Sequence, residues 1–355
     1  MQDKPQKRIL VIGSFITDLV FRVDRYPEEG ETLIGHSFQR FPGGKGANQA
    51  MAAARLGARV AMVGRLGVDE FGDEQVAGFE AAGIDTSGIL RDSEAPSGVA
   101  TVTIDRTGKN RIVIVPGANM RCSVDDVDAV RDRIAEADVL MLQLEIPLET
   151  VARAIDVAAE VGTPVILNPA PTRPVDQAVL AKVTYLTPNE VEAEQLTGIP
   201  VKSAEQAQQA ARKLLSYGVR GVVITLGERG ALVLEQDGAR PESIPAYPVE
   251  AVDTVAAGDA FNGALAVRLA EGASLVEAAR YAGRGGARRF GDGAAGRLGH
   301  RPLQQRRDRR AFGIPRHRAG YGRADHRDHR QAGVLARQDG HRDPRFGCGT
   351  GSRPA

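Results

Sequence analysis

A chain folds only where it carries enough apolar side chains to bury, and in this one that supply stops near residue 282. From Gly283 to Ala355 there are 73 residues with only eight Leu, Ile, Val, Phe and Met among them, too few to build a core. The same stretch holds 18 Arg and 6 Asp with no Lys and no Glu, a net of +12, together with five of the six His and 15 of the 41 Gly. Residues 1–282 hold 28 Lys and Arg against 39 Asp and Glu, a net of −11. The formal charge of +1 therefore describes neither part, and body and tail have to be read separately.

The body has the balance of a globular chain, in line with 42% hydrophobic and 26% charged residues over the whole. The longest stretch free of charge, Val161–Thr172, has 12 residues and three prolines, too short to cross a bilayer. The opening MQDKPQKR has no apolar run of the secretory kind. Cys122 and Cys348 give neither a disulfide framework nor a metal spacing. A protein of the reducing cytoplasm, with no membrane partner, is expected.

Within the body, short apolar runs alternate with helical patterns. Arg8–Gly13, Val60–Val63, Val139–Leu144, Val165–Leu167, Tyr185–Thr187 and Val222–Thr225 read as buried strands. Ala47–Leu56, closed by Gly57, reads as a helix, as do Asp125–Glu136, Leu148–Val161 and Ala204–Tyr217. Buried strands separated by helices predict an α/β fold with a parallel sheet covered on both faces. Two β-branched, turn-rich segments, around residues 14–41 and 98–115, read as antiparallel strands outside that sheet, forming a small lid.

Ligands of open α/β sheets bind beyond the carboxyl ends of the strands, and four segments there carry candidate chemistry. In Pro42–Asn48 (PGGKGAN), glycines allow close approach of backbone to a ligand and the next helix offers free N–H groups. It is not a Walker loop, because Lys45 precedes Gly46 rather than Ser or Thr; a plain glycine turn would also explain it. In Val252–Phe261, small residues open a helix running to Glu271, and its first amides suit charge on a transferring phosphoryl group. Asp259 lies in that first turn, where it could serve chemistry or only favour the helix dipole. In Thr187–Glu194, Asn189 and Glu192 share a face and could meet a metal through water, or simply start a helix. Thr225–Gly230 is a strand end leading to a glycine turn, either a nucleotide shelf or a hairpin.

Taken in order, these segments resemble the PfkB-type sugar kinases, and within them the ribokinase branch. GGKGANQA at Gly43–Ala50 is similar to that family's N-terminal signature and DTVAAGDAFNGAL at Asp253–Leu265 to its C-terminal one. LQLEIPLE (Leu142–Glu149), NPAPTR (Asn168–Arg173), TPNEVEAEQLTGI (Thr187–Ile199) and ITLGERG (Ile224–Gly230) are similar to the ribokinase branch, and the likeness runs from about Ile9 to Ala282.

The resemblance implies a ribokinase-like three-layer α/β/α domain over residues 1–282, with a mainly parallel central sheet and a β lid that joins two copies as a homodimer. It implies ATP-dependent phosphorylation of D-ribose at its 5-hydroxyl, with Mg2+ and K+. By position in the motifs, Asp259 would be the base, and Ala256, Ala257 and Gly258 the anion hole, Gly258 also facing the nucleotide. Ile16, Thr17, Asp18, Gly44, Lys45, Gly46, Ala47, Asn48 and Glu145, with Asp259, would hold the sugar. Asn189, Thr225, Leu226, Gly227, Glu228, Arg229 and Gly230 would face ATP. Asn189 and Glu192 would organise Mg2+ indirectly, and Asp253 and Val255 match the positions lining the K+ site. Ile16 stands where some ribokinases have Asn, which removes a polar contact. Kinases of another sugar, such as deoxyribose or fructose, and a catalytically silent ribose-binding protein are the alternatives.

The likeness ends inside a helical run. The family continues with small apolar residues, an Asn or His near the adenine, and an Arg/Lys-x-Gly-Ala turn, whereas here GRGGARR follows Ala282. Abundant Arg, Gly, Ala, Pro, His and Asp without Lys or Glu is the mix expected of a shifted reading frame in a GC-rich gene, and residues 283–355 are read as an unmatched Arg/Gly-rich tail, frame-shifted or a solvated disordered segment. A basic extension for nucleic acid is the alternative, but no aromatic-interleaved motif supports it, so nucleic acid is not an expected partner. Translating the gene past the Ala282 codon in the other two frames is expected to recover an apolar helix and the missing turn. Their absence from both frames would overturn the frameshift reading.

Overall fold

The computed structural model describes residues 6–236, 240–247 and 256–291, with side chains as far as Arg284. In chain order the first half contains β1 (Arg8–Ile12), β2 (Ile16–Arg22), β3 (Ser37–Gly43), α1 (Lys45–Arg55), β4 (Arg59–Gly67), α2 (Glu70–Ala81), β5 (Asp85–Asp92), β6 (Gly98–Ile104) and β7 (Asn110–Val115). There follow α3 (Val124–Asp128), α4 (Arg131–Glu136), β8 (Val139–Leu142), α5 (Leu148–Val161), β9 (Val165–Leu167), α6 (Gln177–Leu180), β10 (Tyr185–Leu186) and α7 (Glu190–Thr197). The last are α8 (Ala204–Leu215), β11 (Gly221–Thr225), β12 (Ala231–Glu235), β13 (Glu242–Ile244), α9 (Ala257–Ala270) and α10 (Leu275–Gly291).

The main sheet has the order β13-β12-β11-β10-β9-β8-β1-β4-β5. From β11 to β5 every pairing is parallel, and only β12 and β13 join antiparallel at one edge. The apolar runs make this a two-faced sheet because successive side chains point to opposite sides. In β1 and β8, Leu10, Ile12, Leu140 and Leu142 enter a core with α5 and α8, supplied by Val151, Ile155, Ala207 and Leu214. Ile9, Val11, Val139 and Met141 enter a second core on the other face, with Ala50 and Ala53 of α1 and Ala266 of α9. The expected three-layer α/β/α architecture with a mainly parallel sheet is what the chain adopts.

A second sheet, β3-β2-β6-β7, stands apart from the first. Its two hairpin-like pairs are antiparallel, but β2 and β6 run parallel, from Ile16↔Gly98 to Arg22↔Ile104, so the antiparallel expectation fails at the centre. The pairing is parallel because both strands leave the main sheet in the same direction, β2 directly after β1 and β6 after β5. The helix expected over Asp125–Glu136 is two pieces, broken at Val130 (φ −110°, ψ 16°). Asp125, Asp126 and Asp128 favour a first turn over a helix interior, and Asp126 closes a capping box with Ser123.

α1 and α9 meet through their smallest residues. A Cβ on Gly263 would lie 2.6 Å from Ala52 Cβ and 2.9 Å from the Gln49 carbonyl oxygen. Gly263→Val is therefore expected to destabilise the protein by about 1–3 kcal/mol through overpacking, read as a lower urea midpoint at unchanged m-value. Unchanged stability would mean that the two helices are free to separate.

Candidate active site

The polar residues gather where the parallel strands end. β1 ends at Ile12 and passes through Gly13–Phe15 into β2, β8 is followed by Gln143–Glu145, β9 by Asn168, and β10 by Thr187–Asn189. α1 is laid across the first of these ends by its glycines. A Cβ on Gly44 (φ +92°) would come 2.6 Å from Ile16 N, one on Gly46 2.6 Å from Ser14 N, and one on Gly43 2.7 Å from Asp18 Oδ2. The glycines thus let the helix start seat on the backbone of Ser14–Ile16, beyond what a simple turn requires. The Ala47 N–H donates to the Ser14 carbonyl oxygen (3.0 Å). Glu145 Oε2 accepts from Ser14 Oγ (2.5 Å) and from the Lys45 N–H (2.9 Å).

Asp259 lies in the first turn of α9 and is buried. Its Oδ2 accepts from Asn48 Nδ2 and its Oδ1 from Gln49 Nε2, both at 3.0 Å. Burial pushes its pKa upward, against the Lys45 ammonium and these two amides, while the Glu145 charge adds to the rise. Asp18 is pushed up to about 6, by burial first and then by the charges of Glu145 and Asp259. Asp18, Lys45, Asn48, Glu145 and Asp259, five of the residues singled out in the sequence, therefore form one electrostatic unit. Ile16 and Thr17 are buried beside them in β2, as are Gly46 and Ala47 at the start of α1.

Ala256 precedes α9 in the left-handed region (φ 65°), alone among described non-glycine residues. No side chain caps the helix, and Ala257 and Gly258 are exposed. A Cβ on Gly258 would meet nothing within 4 Å, so the protein itself does not demand glycine there. Open amides at the start of a 14-residue helix suit an anion.

Asn189 and Glu192 form a capping box at the start of α7. Glu192 Oε2 accepts from the Asn189 N–H (2.8 Å) and Oε1 from Asn189 Nδ2 (2.9 Å). Glu192 is buried and its pKa is raised by that burial, with Lys45 pulling it down and Asp259 adding to the rise. Among the described residues it has no direct cationic partner, and no group of three or more His, Cys, Asp or Glu could enclose a metal. A buried carboxylate bonded only to amides fits water-mediated rather than direct Mg2+ binding.

Asn189 bridges to Thr225 at the end of β11, placing the Thr225–Gly230 turn beside α7. That turn is the hairpin between β11 and β12. Leu226 is buried, Glu228 is exposed, and Gly227 (φ +54°) has open space around it. A Cβ on Gly230 would meet the Ile244 carbonyl oxygen. The Arg229 guanidinium is taken up by Glu190 and by the carbonyl oxygens of Val201 (2.8 Å) and Lys202 (3.0 Å), which commits it to holding the hairpin on α7. Asp253 and Val255 lie outside the described residues. The sequence reading does not single out Ser14, Gln49, Gln143, Asn168, Thr187 or Asn262, although Ser14 and Asn168 immediately follow strand-like runs and are within reach of that rule.

The pfkB family carbohydrate kinase model matches residues 6–288, reaching slightly past the compositional break. The chain is 40% identical over 276 residues to the ribokinase of Haemophilus influenzae, covering 78% of this chain and 90% of that one. It is 40% identical over 259 residues to the deoxyribokinase of Salmonella typhi, covering 73% and 84%. Among solved structures, Arabidopsis thaliana ribokinase complexed with ribose and ATP aligns with a TM-score of 0.74 at 34% identity, over 79% of this chain and 92% of that one.

The burial of Asp18, and the carboxylates crowded beside it, can be measured without any ligand. Asp18 has a native pKa of about 6 against an ordinary 3.8, so between these values the native state holds more protons than the unfolded one. Its ionisation therefore lowers stability as pH rises through that window, and the full cost applies above about 6. Asp18→Asn is expected to stabilise the protein at pH 8 on the order of 1–3 kcal/mol, with the gain vanishing near pH 4. Equal unfolding curves for variant and parent at pH 8 would show that the carboxylates do not oppose one another.

Proposed function

The chain belongs to the pfkB family of carbohydrate kinases, and from that premise we propose that it transfers the γ-phosphoryl group of ATP to the 5-hydroxyl of D-ribose. The buried Asp259 carboxylate carries this reading: it sits at the start of a helix with open amides and in the same charge cluster as Lys45, Asp18 and Glu145. Asp259 takes the hydroxyl proton as the new O–P bond forms and the bond from the γ-phosphorus to its bridging oxygen breaks, releasing ADP. The amides after Ala256, those of Ala257 and Gly258, receive the charge on the transferring group. Such a transfer needs mainly positioning and charge stabilisation, which this inventory supplies.

Asp18, Lys45, Asn48 and Glu145 hold the sugar, whose vicinal hydroxyls match alternating carboxylates, amide and ammonium, with Gly44 admitting the ring. Asn189 and the main chain of Thr225–Gly230 face the nucleotide. Mg2+ bound through water near Asn189 and Glu192 would neutralise phosphate charge beside this acidic site. Asp253 and Val255 remain the residues suited to a K+ site. The lid supports a homodimer: Phe21, Phe38, Ile112 and Ile114 are exposed on it, and among the described residues β7 has an unpaired edge. No helix among the described residues is long and apolar enough to cross a membrane, and the proposed setting is the cytoplasm.

A second reading, 2-deoxyribose as acceptor, is favoured by Ile16, a buried apolar residue where a polar one would answer a hydroxyl. ADP release measured over ribose, 2-deoxyribose and fructose separates them: the highest kcat/KM is expected for ribose, and a higher value for 2-deoxyribose would select the second. Ribose binding without ADP release would instead mark a silent sugar-binding protein. Asp259→Ala is expected to lower kcat by about 10²–10⁴ while leaving the ribose Kd within a few-fold. A variant keeping more than a tenth of parental kcat removes Asp259 from the base's role.

A further inference from the structure

Asp259 has two hydrogen-bond donors of different standing. Asn48 is half-buried and belongs to the sugar-binding set, so it is free to turn toward a substrate. Gln49 is fully buried and is not among the proposed sugar contacts. Its amide orientation is dictated from behind, because Gln143 Nε2 donates to Gln49 Oε1 at 2.7 Å. Both protons of Gln49 Nε2 are then committed, one to Asp259 Oδ1 (3.0 Å) and one to Asn168 Oδ1 (3.2 Å).

The order continues with one alternative, since the Thr187 hydroxyl also lies 3.4 Å from the Leu167 carbonyl oxygen. Asn168 Nδ2 donates to the Thr187 carbonyl oxygen (3.0 Å), Thr187 Oγ1 to Asn262 Oδ1 (2.6 Å), and Asn262 Nδ2 to the Gly258 carbonyl oxygen (2.9 Å). Gly258 is bonded to Asp259, so the circuit closes. Every side chain in it is buried. Gln143 Oε1 is buried without a hydrogen-bond partner, set against Gly13, where a Cβ would come within 2.2 Å of it. A buried acceptor left unmade costs stability. The arrangement tolerates that cost because the opposite Gln143 orientation would present oxygen to Gln49 Oε1.

We infer that Gln49, clamped by Gln143, is the positioning residue of the phosphoryl transfer: it pins Asp259 Oδ1 and leaves Oδ2 as the oxygen that receives the sugar proton. This rests on Asp259 being the base. When Asn48 turns to the sugar, Gln49 is the donor that stays, keeping the carboxylate ionised and its plane fixed.

The test compares Gln49→Met, Gln143→Met and Gln143→Glu with the parent, in the full chain, using ribose and Mg-ATP. Gln49→Met is expected to lower kcat by about tenfold or more with both KM values within about threefold. The acid limb of its kcat profile should move up by about half a pH unit, because a donor to the ionised form is lost. Gln143→Met should shift that limb in the same direction by less. Gln143→Glu should cost more kcat than Gln143→Met, since an ionised carboxylate would draw Gln49 Nε2 to itself and turn Oε1 toward Asp259. Should Gln49→Met fail to fold, the two Gln143 variants carry the same comparison. Lower melting temperatures with an unmoved acid limb in all three would reduce the circuit to a structural role and overturn the inference. Asp259→Asn separates the two levels: an active variant sinks the base itself, whereas an inactive one beside unmoved acid limbs sinks only the role of Gln49.

Discussion

A single carboxylate buried at the start of a helix sets the terms for the rest of this structure. Removing an ionised group from water costs several kcal/mol unless hydrogen bonds replace the hydration, and Asp259 receives its replacement from two neighbouring amides on α1. For Asn48 and Gln49 to reach it, α1 must lie almost in contact with α9, which Ala52 and Gly263 permit. For α1 to begin at the strand ends at all, its first turn must seat on Ser14, which Gly44 and Gly46 permit. The two glycine-rich segments, some two hundred residues apart, are thus the two sides of one packing problem. A cation in direct contact with Asp259 would solve the burial more simply. It would also hold down the proton affinity that the proposed base needs, so neutral amides suit that role.

The surrounding charges follow from the same requirement. Asp18, Glu192 and Asp259 all have pKa values raised by burial, and Lys45 is the cation that acts on both Glu192 and Asp259. An excess of carboxylates welcomes hydroxyl donors and opposes anions. An uncharged sugar suits such a site better than a phosphorylated one. Under the proposed reading, ATP is received at the uncapped amides of α9 and the Asn189–Thr225 junction. Acidic side chains for one reactant and open amides for the other suit the proposed transfer from an anion to a neutral alcohol.

The parts of this arrangement that were legible in the sequence are those that depend on local order. Strand ends, glycines before α1 and the small residues opening α9 each leave a mark within ten residues, and the family motifs gathered them into one site. Apart from Asn168, which follows a strand, the amide circuit leaves no such mark. Gln49 and Asp259 are 210 residues apart and Thr187 and Asn262 are 75 apart, so only the folded chain brings them together. Gln49 reads from the sequence as one polar residue in an alanine-rich helix, with nothing to say that it faces inward. Arg229 shows the opposite case: the family motif places it facing ATP, while in the folded chain Glu190, thirty-nine residues away, has its guanidinium.

The compositional break near residue 282 looks as though it should undermine this construction, since α10 packs on the helix that carries Asp259. Its buried residues, among those whose side chains are described, are Leu275, Ala278, Ala279 and Ala282, joined in one core with Ala264 and Leu265 of α9 and with Val223, Ala231, Val233 and Ile244 of β11, β12 and β13. Their spacing is one full apolar stripe over two turns. Arg280 and Arg284 then reach outward, to Glu242 and to the Tyr247 hydroxyl. Among the side chains described, the packed stripe runs as far as Ala282, and the residues that wedge α9 between α1 and α10 all precede Gly283. The amides that hold Asp259 and the described residues that back its helix therefore belong to the acidic body.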